Sequence, residues 1–465
     1  MGNNKQNSNI LSVLNPATEE IFAEFKLMDI IEIQQKVELS KTAFLIWKQS
    51  KLGDRKKVIK QIINYFQENK SPIANKITMQ MGKPIQQSLN EVDGAIYRME
   101  GLIKISDNAL KTIEFPEING ISKKITREPV GVVLDIAAWN YPLLIAVNIV
   151  IASVLAGNSV IIKHSSTTPL CGQIFEDAFI ESDAPNNLVQ NIICNHKTLS
   201  NVIKNDTFDH ISFTGSVNGG RSISNSNSSN FTGLGLELGG KDPAYICEDA
   251  NLEFTIPNVM DGVFYNAGQS CCGVERIYVH EKVYMQFING AIQEMQKLKI
   301  GDPLANGITL GPLVSKKSVE FLELQKQDAK KRGAEIIEFE GEIPQIGNYF
   351  RPFIAVNCSH KMDLMIEESF GPVVGIMKVS SDEEAINLMN DSDFGLTASI
   401  WTADQNRAQK IAEKLETGTV FQNRCDVLDP ELPWIGVKNS GLGASLGEIG
   451  IQQLTRPKSY NFKNI

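Results

Sequence analysis

No CxxC pair occurs among the seven cysteines of this chain, Cys171, Cys194, Cys247, Cys271, Cys272, Cys358 and Cys425. An odd set without that spacing fits neither a disulfide framework nor a zinc ribbon, so no metal site is expected. A reducing compartment is implied. Blocks of lysine and arginine are missing as well, and the formal charge is −9. That balance argues against a nucleic-acid surface and against an anionic membrane, which leaves small molecules as the expected partners. No apolar run is long enough to cross a bilayer. The most apolar, Pro142 to Ala156, is interrupted by Asn148 and Ser153 and falls short of the roughly 20 residues required, so it reads as a buried helix. The opening MGNNKQNSN has no apolar core and no arginine, and Gln6 stands where myristoylation at Gly2 wants Ser or Thr. A cytoplasmic location is expected.

A conventional nucleotide fingerprint is also missing. GLGLELGG (Gly233 to Gly240) and GLGASLG (Gly441 to Gly447) have the wrong spacing and position for a dinucleotide turn. Gly235 to Lys241 matches GxxxxGK, but Asp242 stands where a P-loop needs Ser or Thr to hold magnesium. A nucleotide triphosphatase is thereby demoted.

What is present is length and alternation. A chain of 465 residues is too long for one ordinary core and implies two or three domains. Residues 1 to about 110 read as mostly helical and would cover one face of a sheet. From Val130 to Gly240, VGVVLDIA, SVIIKH, LVQNIIC, HISFTG and LGLELGG read as strands, separated by helical runs and closed by Gly or Asn. That order indicates a doubly wound parallel sheet. Ser222 to Asn230 reads as a surface loop. After Lys241 a second α/β series has candidate strands RIYVH, AEIIEF, FIAV, TASIWT and TVFQN, with helices at 282–297, 315–332, 382–389 and 404–415.

The chemistry concentrates in FYNAGQSCCGVER (Phe264 to Arg276) and, 34 residues before Cys271, in the ELGGK segment that begins with Glu237. A free cysteine on its own is usually an inert core thiol. Here a Gly-Gln-Ser turn tethers Cys271 so that it can stay partly exposed. The turn is expected to place the sulfur where a helix begins, with backbone N–H groups favouring the thiolate. A lone Glu at a strand end is usually surface decoration, yet Leu236 and Leu238 would give Glu237 an apolar setting and raise its pKa toward that of a useful base.

Together with NPATEE (Asn15 to Glu20), AAWNYP (Ala137 to Pro142), FTGS (Phe213 to Ser216), EESFGP (Glu367 to Pro372) and VKNSGLG (Val437 to Gly443), this pair resembles the aldehyde dehydrogenase superfamily over nearly the whole chain. The resemblance implies an α/β fold with a Rossmann-like cofactor domain (1–110 and 129–238), an α/β catalytic domain (239–436) and a small β flap with bridging segments (111–128 and 437–465). The flap implies a homodimer or homotetramer. It also implies NAD(P)-dependent oxidation of an aldehyde to a carboxylic acid. In that scheme Cys271 attacks, Asn140 and the Cys271 N–H hold the oxyanion, and Glu237 activates water. Acylating relatives generally lack the Glu, so a free acid is the implied product. Cys272 is left with packing or a redox side reaction.

By the same resemblance Gly215 and Ser216 meet the pyrophosphate, a role the end of a strand at a helix N-terminus suits physically. Trp139 and Lys163 match positions beside the adenosine ribose, Glu368 the nicotinamide ribose and Phe370 the nicotinamide. Many NAD-preferring members carry Glu where this chain has Ser166, so NAD or NADP is expected, with NADP tolerated. Tyr141, Leu144, Asn148, Tyr265 and Leu428 match the substrate tunnel, a mostly neutral and partly aromatic wall that suits an uncharged aldehyde. Arg424 could instead clamp the carboxylate of a semialdehyde such as succinate semialdehyde, or anchor its loop. An esterase using the same pair without a nicotinamide, and a non-catalytic binding protein on the same fold, are the alternatives of other classes.

Overall fold

Strands buried at every position need cover on both faces, and Val132–Ala137 and Ser159–His164 are such strands. In the computed structural model, which describes residues 9–464 apart from 206 and 230, they form the centre of a six-stranded sheet. Its order is Gly441–Leu442, Gly233–Glu237, His210–Thr214, Val132–Ala137, Ser159–His164, Val189–Asn191, with every pair parallel except the first. The chain runs outward from Val132–Ala137 to one side, then returns to its other neighbour, His210–Thr214. A crevice opens beyond the carboxyl ends of strands at such a reversal. Ala138 to Asn140 and Gly215 to Ser216 leave the two strands at that point. The Gly2 reading lies outside the described residues.

The helix Pro142–Ala156 covers one face and is buried almost all round. Its ends were legible: Pro142 opens it where the missing N–H costs nothing, and Gly157 closes it in the left-handed region at φ 98°. The helix Ile85–Ala109 packs against it.

The second sheet has seven strands in the order Glu335–Glu338, Phe353–Val356, Val373–Val379, Val274–His280, Asp242–Ile246, Thr397–Trp401, Thr419–Gln422, again parallel except for the first pair. A third sheet joins Thr455–Lys463, Ile121–Pro129 and Ile113–Ile118, all antiparallel. Val437–Lys438 pairs with Phe394–Gly395, while Gly441–Leu442 joins the first sheet, so this segment ties the two halves together.

Three expectations change. The N-terminal region is not only helical, because Ile10–Leu14 and Ile21–Lys26 form a hairpin. The Gly/Ser-rich stretch forms the helix Val217–Asn227, capped by the Ser216 hydroxyl, which accepts from the Gly219 N–H at 3.2 Å. Its Ile223 is buried against the sheet, and that tertiary contact outweighs a weak helical composition. Finally, no helix begins at Cys271. The residue sits in a turn leading into Val274–His280, because the helix of this region, Leu252–Phe264, ends upstream.

Candidate active site

The turn before Cys271 is unusual in its backbone. Asn266, Ala267 and Gly268 all have positive φ, at 54°, 54° and 68°. Two non-glycine residues in that region are costly unless their surroundings hold them. Here they do. The Asn266 amide donates to the carbonyls of Asn140 (3.0 Å) and Gln269 (3.1 Å), and its N–H donates to Gln87 Oε1 (3.0 Å). Gln269 Oε1 accepts from the Val314 N–H at 2.9 Å. A side chain at Gly268 would collide with the carbonyl of Gly371. Cys271 therefore receives its position from a rigid loop, not from a helix terminus.

Two cavities meet at this loop. One is a tunnel of about 510 Å³ and the other a cleft of about 210 Å³. Asn140, Thr214, Glu237 and Cys271 line both. Cys271 is half-buried. Asn140 is 3% exposed, and its amide donates to the Gln269 carbonyl at 3.2 Å. Glu237 ends the strand Gly233–Glu237. One carboxylate oxygen accepts from Thr214 Oγ1 at 3.4 Å; the other makes no hydrogen bond among the described residues, with the Ser445 hydroxyl its nearby polar neighbour. Burial pushes its pKa up, against the pull of the nearby Ser445 hydroxyl, the Arg98 charge and the Thr214 hydroxyl.

The cleft holds Trp139, Gly215, Ser216, Glu368 and Phe370, all expected there. The Trp139 and Phe370 rings meet edge to face, 5.5 Å between centroids. Glu368 accepts from the Gly240 N–H at 2.9 Å, and burial with the nearby Glu275 raises its pKa to about 8. Lys163 is 3% exposed at the end of its strand, where a solvated terminus is the ordinary reading. It makes no hydrogen bond or ion pair among the described residues, while burial lowers its pKa. Ser166 is exposed beside it. The residues fit a dinucleotide. An open helix N-terminus and a glycine at 239, whose Cβ would stand 2.5 Å from the Glu368 carboxylate, leave room for one in the cleft, while Lys163 and Ser166 lie outside its lining, at the end of the adjoining strand.

The segment carrying Glu368 and Phe370 is fixed by a residue the sequence did not single out. Glu275 accepts from the N–H groups of Ser369 (2.8 Å) and Phe370 (2.9 Å) and pairs with Lys241 at 2.6 Å. Phe370 is held at φ 54°. Lys241 is 1% exposed and committed to this pair, which removes the P-loop reading. Glu275→Gln should lower stability by about 3–5 kcal/mol, since it leaves a buried ammonium without a counter-charge. Chemical denaturation of the two proteins side by side checks this, and an unchanged midpoint would refute it.

All five expected tunnel residues, Tyr141, Leu144, Asn148, Tyr265 and Leu428, line the larger cavity. Its wall is not neutral, however. Glu91, Arg98, Asp261 and Asp426 also face it, along with Arg424. Glu91 pairs with buried Lys83 and accepts from the N–H of Leu143 at 2.9 Å, capping the helix Pro142–Ala156. Lys83 in turn lies over the Tyr141 ring, 4.0 Å from its centroid. Asp426 accepts from Ser270 Oγ (2.9 Å) and from the Cys272 thiol (2.8 Å), and burial raises its pKa to about 6. Arg424 is exposed at the mouth and makes no ion pair among the described residues, so it does not anchor its loop that way.

Residues 3–460 match the model of the aldehyde dehydrogenase family. The chain is 32% identical to a 4-trimethylaminobutyraldehyde dehydrogenase of Mus musculus, over 96% of this chain and 91% of the mouse protein. It is 29% identical to an NADP(+) succinate-semialdehyde dehydrogenase of Deinococcus radiodurans, over 96% and 94%. A solved betaine aldehyde dehydrogenase from Staphylococcus aureus in complex with NAD+ superimposes with a TM-score of 0.92 at 29% identity, covering 98% of this chain and 92% of that one. A strained turn presenting a cysteine between a tunnel and a cleft is thus set within a match that spans both sheets. The chain belongs to the aldehyde dehydrogenase family, enzymes that oxidise aldehydes with NAD or NADP.

Proposed function

We propose that Cys271, Glu237 and Asn140 carry the oxidation of an aldehyde to a free carboxylic acid. The observation behind this reading is that these three, with Thr214, are the described residues that line both the tunnel and the cleft. An aldehyde arriving through the tunnel reaches the Cys271 sulfur. The thiolate adds to the carbonyl carbon, and the Asn140 amide and the Cys271 N–H donate to the oxygen that becomes negative. A nicotinamide bound in the cleft supplies the hydride acceptor. The thioester left on Cys271 is then hydrolysed by water whose proton Glu237 takes. The Glu237 oxygen that makes no hydrogen bond among the described residues is the one read as accepting it.

For the cofactor, the proposal is that NADP is used at least as well as NAD. The Lys163 ammonium makes no hydrogen bond or ion pair among the described residues, and its charge reaches His196, whose pKa burial and then this charge lower. With Ser166 in place of a carboxylate, a 2′-phosphate finds the Lys163 cation and a hydroxyl. The substrate is read as a small aldehyde. Succinate semialdehyde is the second reading, favoured by buried Arg98 more than by exposed Arg424. The strand Ile113–Ile118 is exposed along its whole length at a sheet edge, which supports pairing with another copy in a homodimer or homotetramer. The seven free cysteines support a cytoplasmic location.

The test is reduced-nicotinamide formation by the purified protein over neutral aldehydes and semialdehydes, with both cofactors in parallel. Turnover with kcat/KM for NADP equal to or above that for NAD is expected. Strict NAD use would overturn the cofactor assignment, and no turnover with any pair would overturn the activity.

A further inference from the structure

Arg98 is a buried, fixed charge of the tunnel that makes no ion pair among the described residues, although the Glu237 charge lies close enough to act on it. It lies on the helix Ile85–Ala109 and is 8% exposed. One guanidinium nitrogen, Nη1, donates to the Leu144 carbonyl at 3.0 Å and to Asn148 Oδ1 at 3.1 Å. Nε and Nη2 make no hydrogen bond among the described residues. The obvious counter-ion, Glu91, is taken: Lys83 holds one of its oxygens, and the N–H groups of Leu143 and Leu144 share the other. No ion pair involving Arg98 exists among the described residues. Arg98 lines the same cavity as Cys271 and Glu237.

A buried guanidinium with donors left unspent and no ion pair is costly, and a site that keeps one gains when an anion arrives to meet those donors. Arginine suits a planar anion in particular, since two N–H groups side by side match the two oxygens of a carboxylate. Asn148 and Leu144 grip Nη1 and so fix the plane of the fork, leaving the donors on its other side unspent. Arg424 offers the same chemistry at the mouth, but it is exposed, and water and salt screen it. Asp261 and Asp426 face the cavity too, and they would favour a cationic aldehyde. Asp426 is desolvated as well but already accepts from Ser270 and Cys272, and Asp261 is exposed, so neither combines burial with unspent hydrogen bonds as Arg98 does.

We propose that Arg98 binds a carboxylate at the far end of the substrate, so that this tunnel selects short aldehydes bearing a carboxylate over neutral or cationic ones. Arg98 is here a specificity residue, with Asn148 as its positioning partner. The proposal rests on the aldehyde dehydrogenase reading of the same site.

The experiment compares three aldehydes of equal chain length, butanal, succinic semialdehyde and 4-(trimethylammonio)butanal, with wild type, Arg98→Gln and Arg98→Lys. Wild type should prefer succinic semialdehyde. The ratio of kcat/KM for succinic semialdehyde to that for butanal should fall by about 10²-fold in Arg98→Gln, mostly through KM, with partial recovery in Arg98→Lys. A ratio that does not move, or a wild-type preference for the trimethylammonio compound, would overturn the proposal. A second readout needs no turnover: succinate should slow iodoacetamide labelling of Cys271 in wild type and in Arg98→Lys, and not in Arg98→Gln. Equal protection in all three proteins overturns the Arg98 assignment. Protection that depends on Arg98 without turnover of any aldehyde overturns the activity while supporting the carboxylate site.

Discussion

Cys271→Ala is expected to reduce aldehyde oxidation by about 10⁴-fold or more while leaving cofactor binding intact, because the covalent route has no substitute in the site. The neighbouring thiol is the natural objection. Cys272 is 4% exposed, and its sulfur donates to Asp426 at 2.8 Å. Its contact with Cys271, then burial and the Asp426 charge, push its pKa well up, so it stays protonated and serves as a donor. A protonated, buried sulfur is a poor nucleophile. Cys271 instead borders both cavities, where it can meet an aldehyde on one side and a nicotinamide on the other. Cys272→Ser, which keeps a donor for Asp426, should retain most of the activity. Steady-state rates, with cofactor titration of each variant by fluorescence, decide the matter. Full activity in Cys271→Ala, or a Cys272→Ser variant as inert as Cys271→Ala is expected to be, would sink the assignment.

The contrast between these two sulfurs shows what one-dimensional reading reaches. The Gly-Gln-Ser run marked Cys271 as the candidate, but the reason offered for it, a helix N-terminus, was incorrect. What holds the sulfur is a loop of left-handed residues tied to Gln87, Asn140 and Val314, and those partners lie far away in sequence. The first sheet was legible because its strands are short, buried and separated by helices with clear stops. The helix Leu252–Phe264 was passed over: Pro257 lies inside it and reads as a break, although Asn251 caps it and tertiary packing holds it. Asp242–Ile246 was missed because Pro243 follows so closely on the glycine turn.

Charged tunnel residues went unread for a different reason. Glu91 and Arg98 stand on the helix Ile85–Ala109 among several ordinary surface charges. Both nevertheless share the buried stripe of Val92, Ala95, Met99 and Leu102. A charge that falls within an apolar stripe must be paired or used, and that periodicity was available to be read. Glu275 carried no such mark, since every residue of its strand is buried. Its function appears only when the chain brings Lys241 and Ser369 beside it.

Glu237→Gln should yield one rapid equivalent of reduced nicotinamide per active site and then nearly stop, with the steady-state rate down by about 10²–10⁴-fold. The first hydride transfer needs only Cys271, the oxyanion donors and the cofactor, and the Gln amide keeps a carbonyl oxygen for Thr214 to donate to. Hydrolysis of the thioester needs a base, and the amide is not one. The carboxylate is suited to that work by its setting. Burial raises its pKa, which makes the anion a stronger base, while Ser445, Arg98 and Thr214 keep the anion accessible. A protonated Glu237 cannot accept a proton, so deacylation in the wild type should rise with pH through that raised pKa and level off above it. The ascending limb should vanish in the variant. Rapid mixing gives the burst, the pH profile of kcat gives the limb, and intact-mass analysis should find the acyl group on Cys271 after the burst. A wild-type steady-state rate in Glu237→Gln would remove Glu237 from the hydrolytic step. A missing burst with an unchanged fold would instead assign it to the first step, where its charge beside Arg98 would be supporting the thiolate.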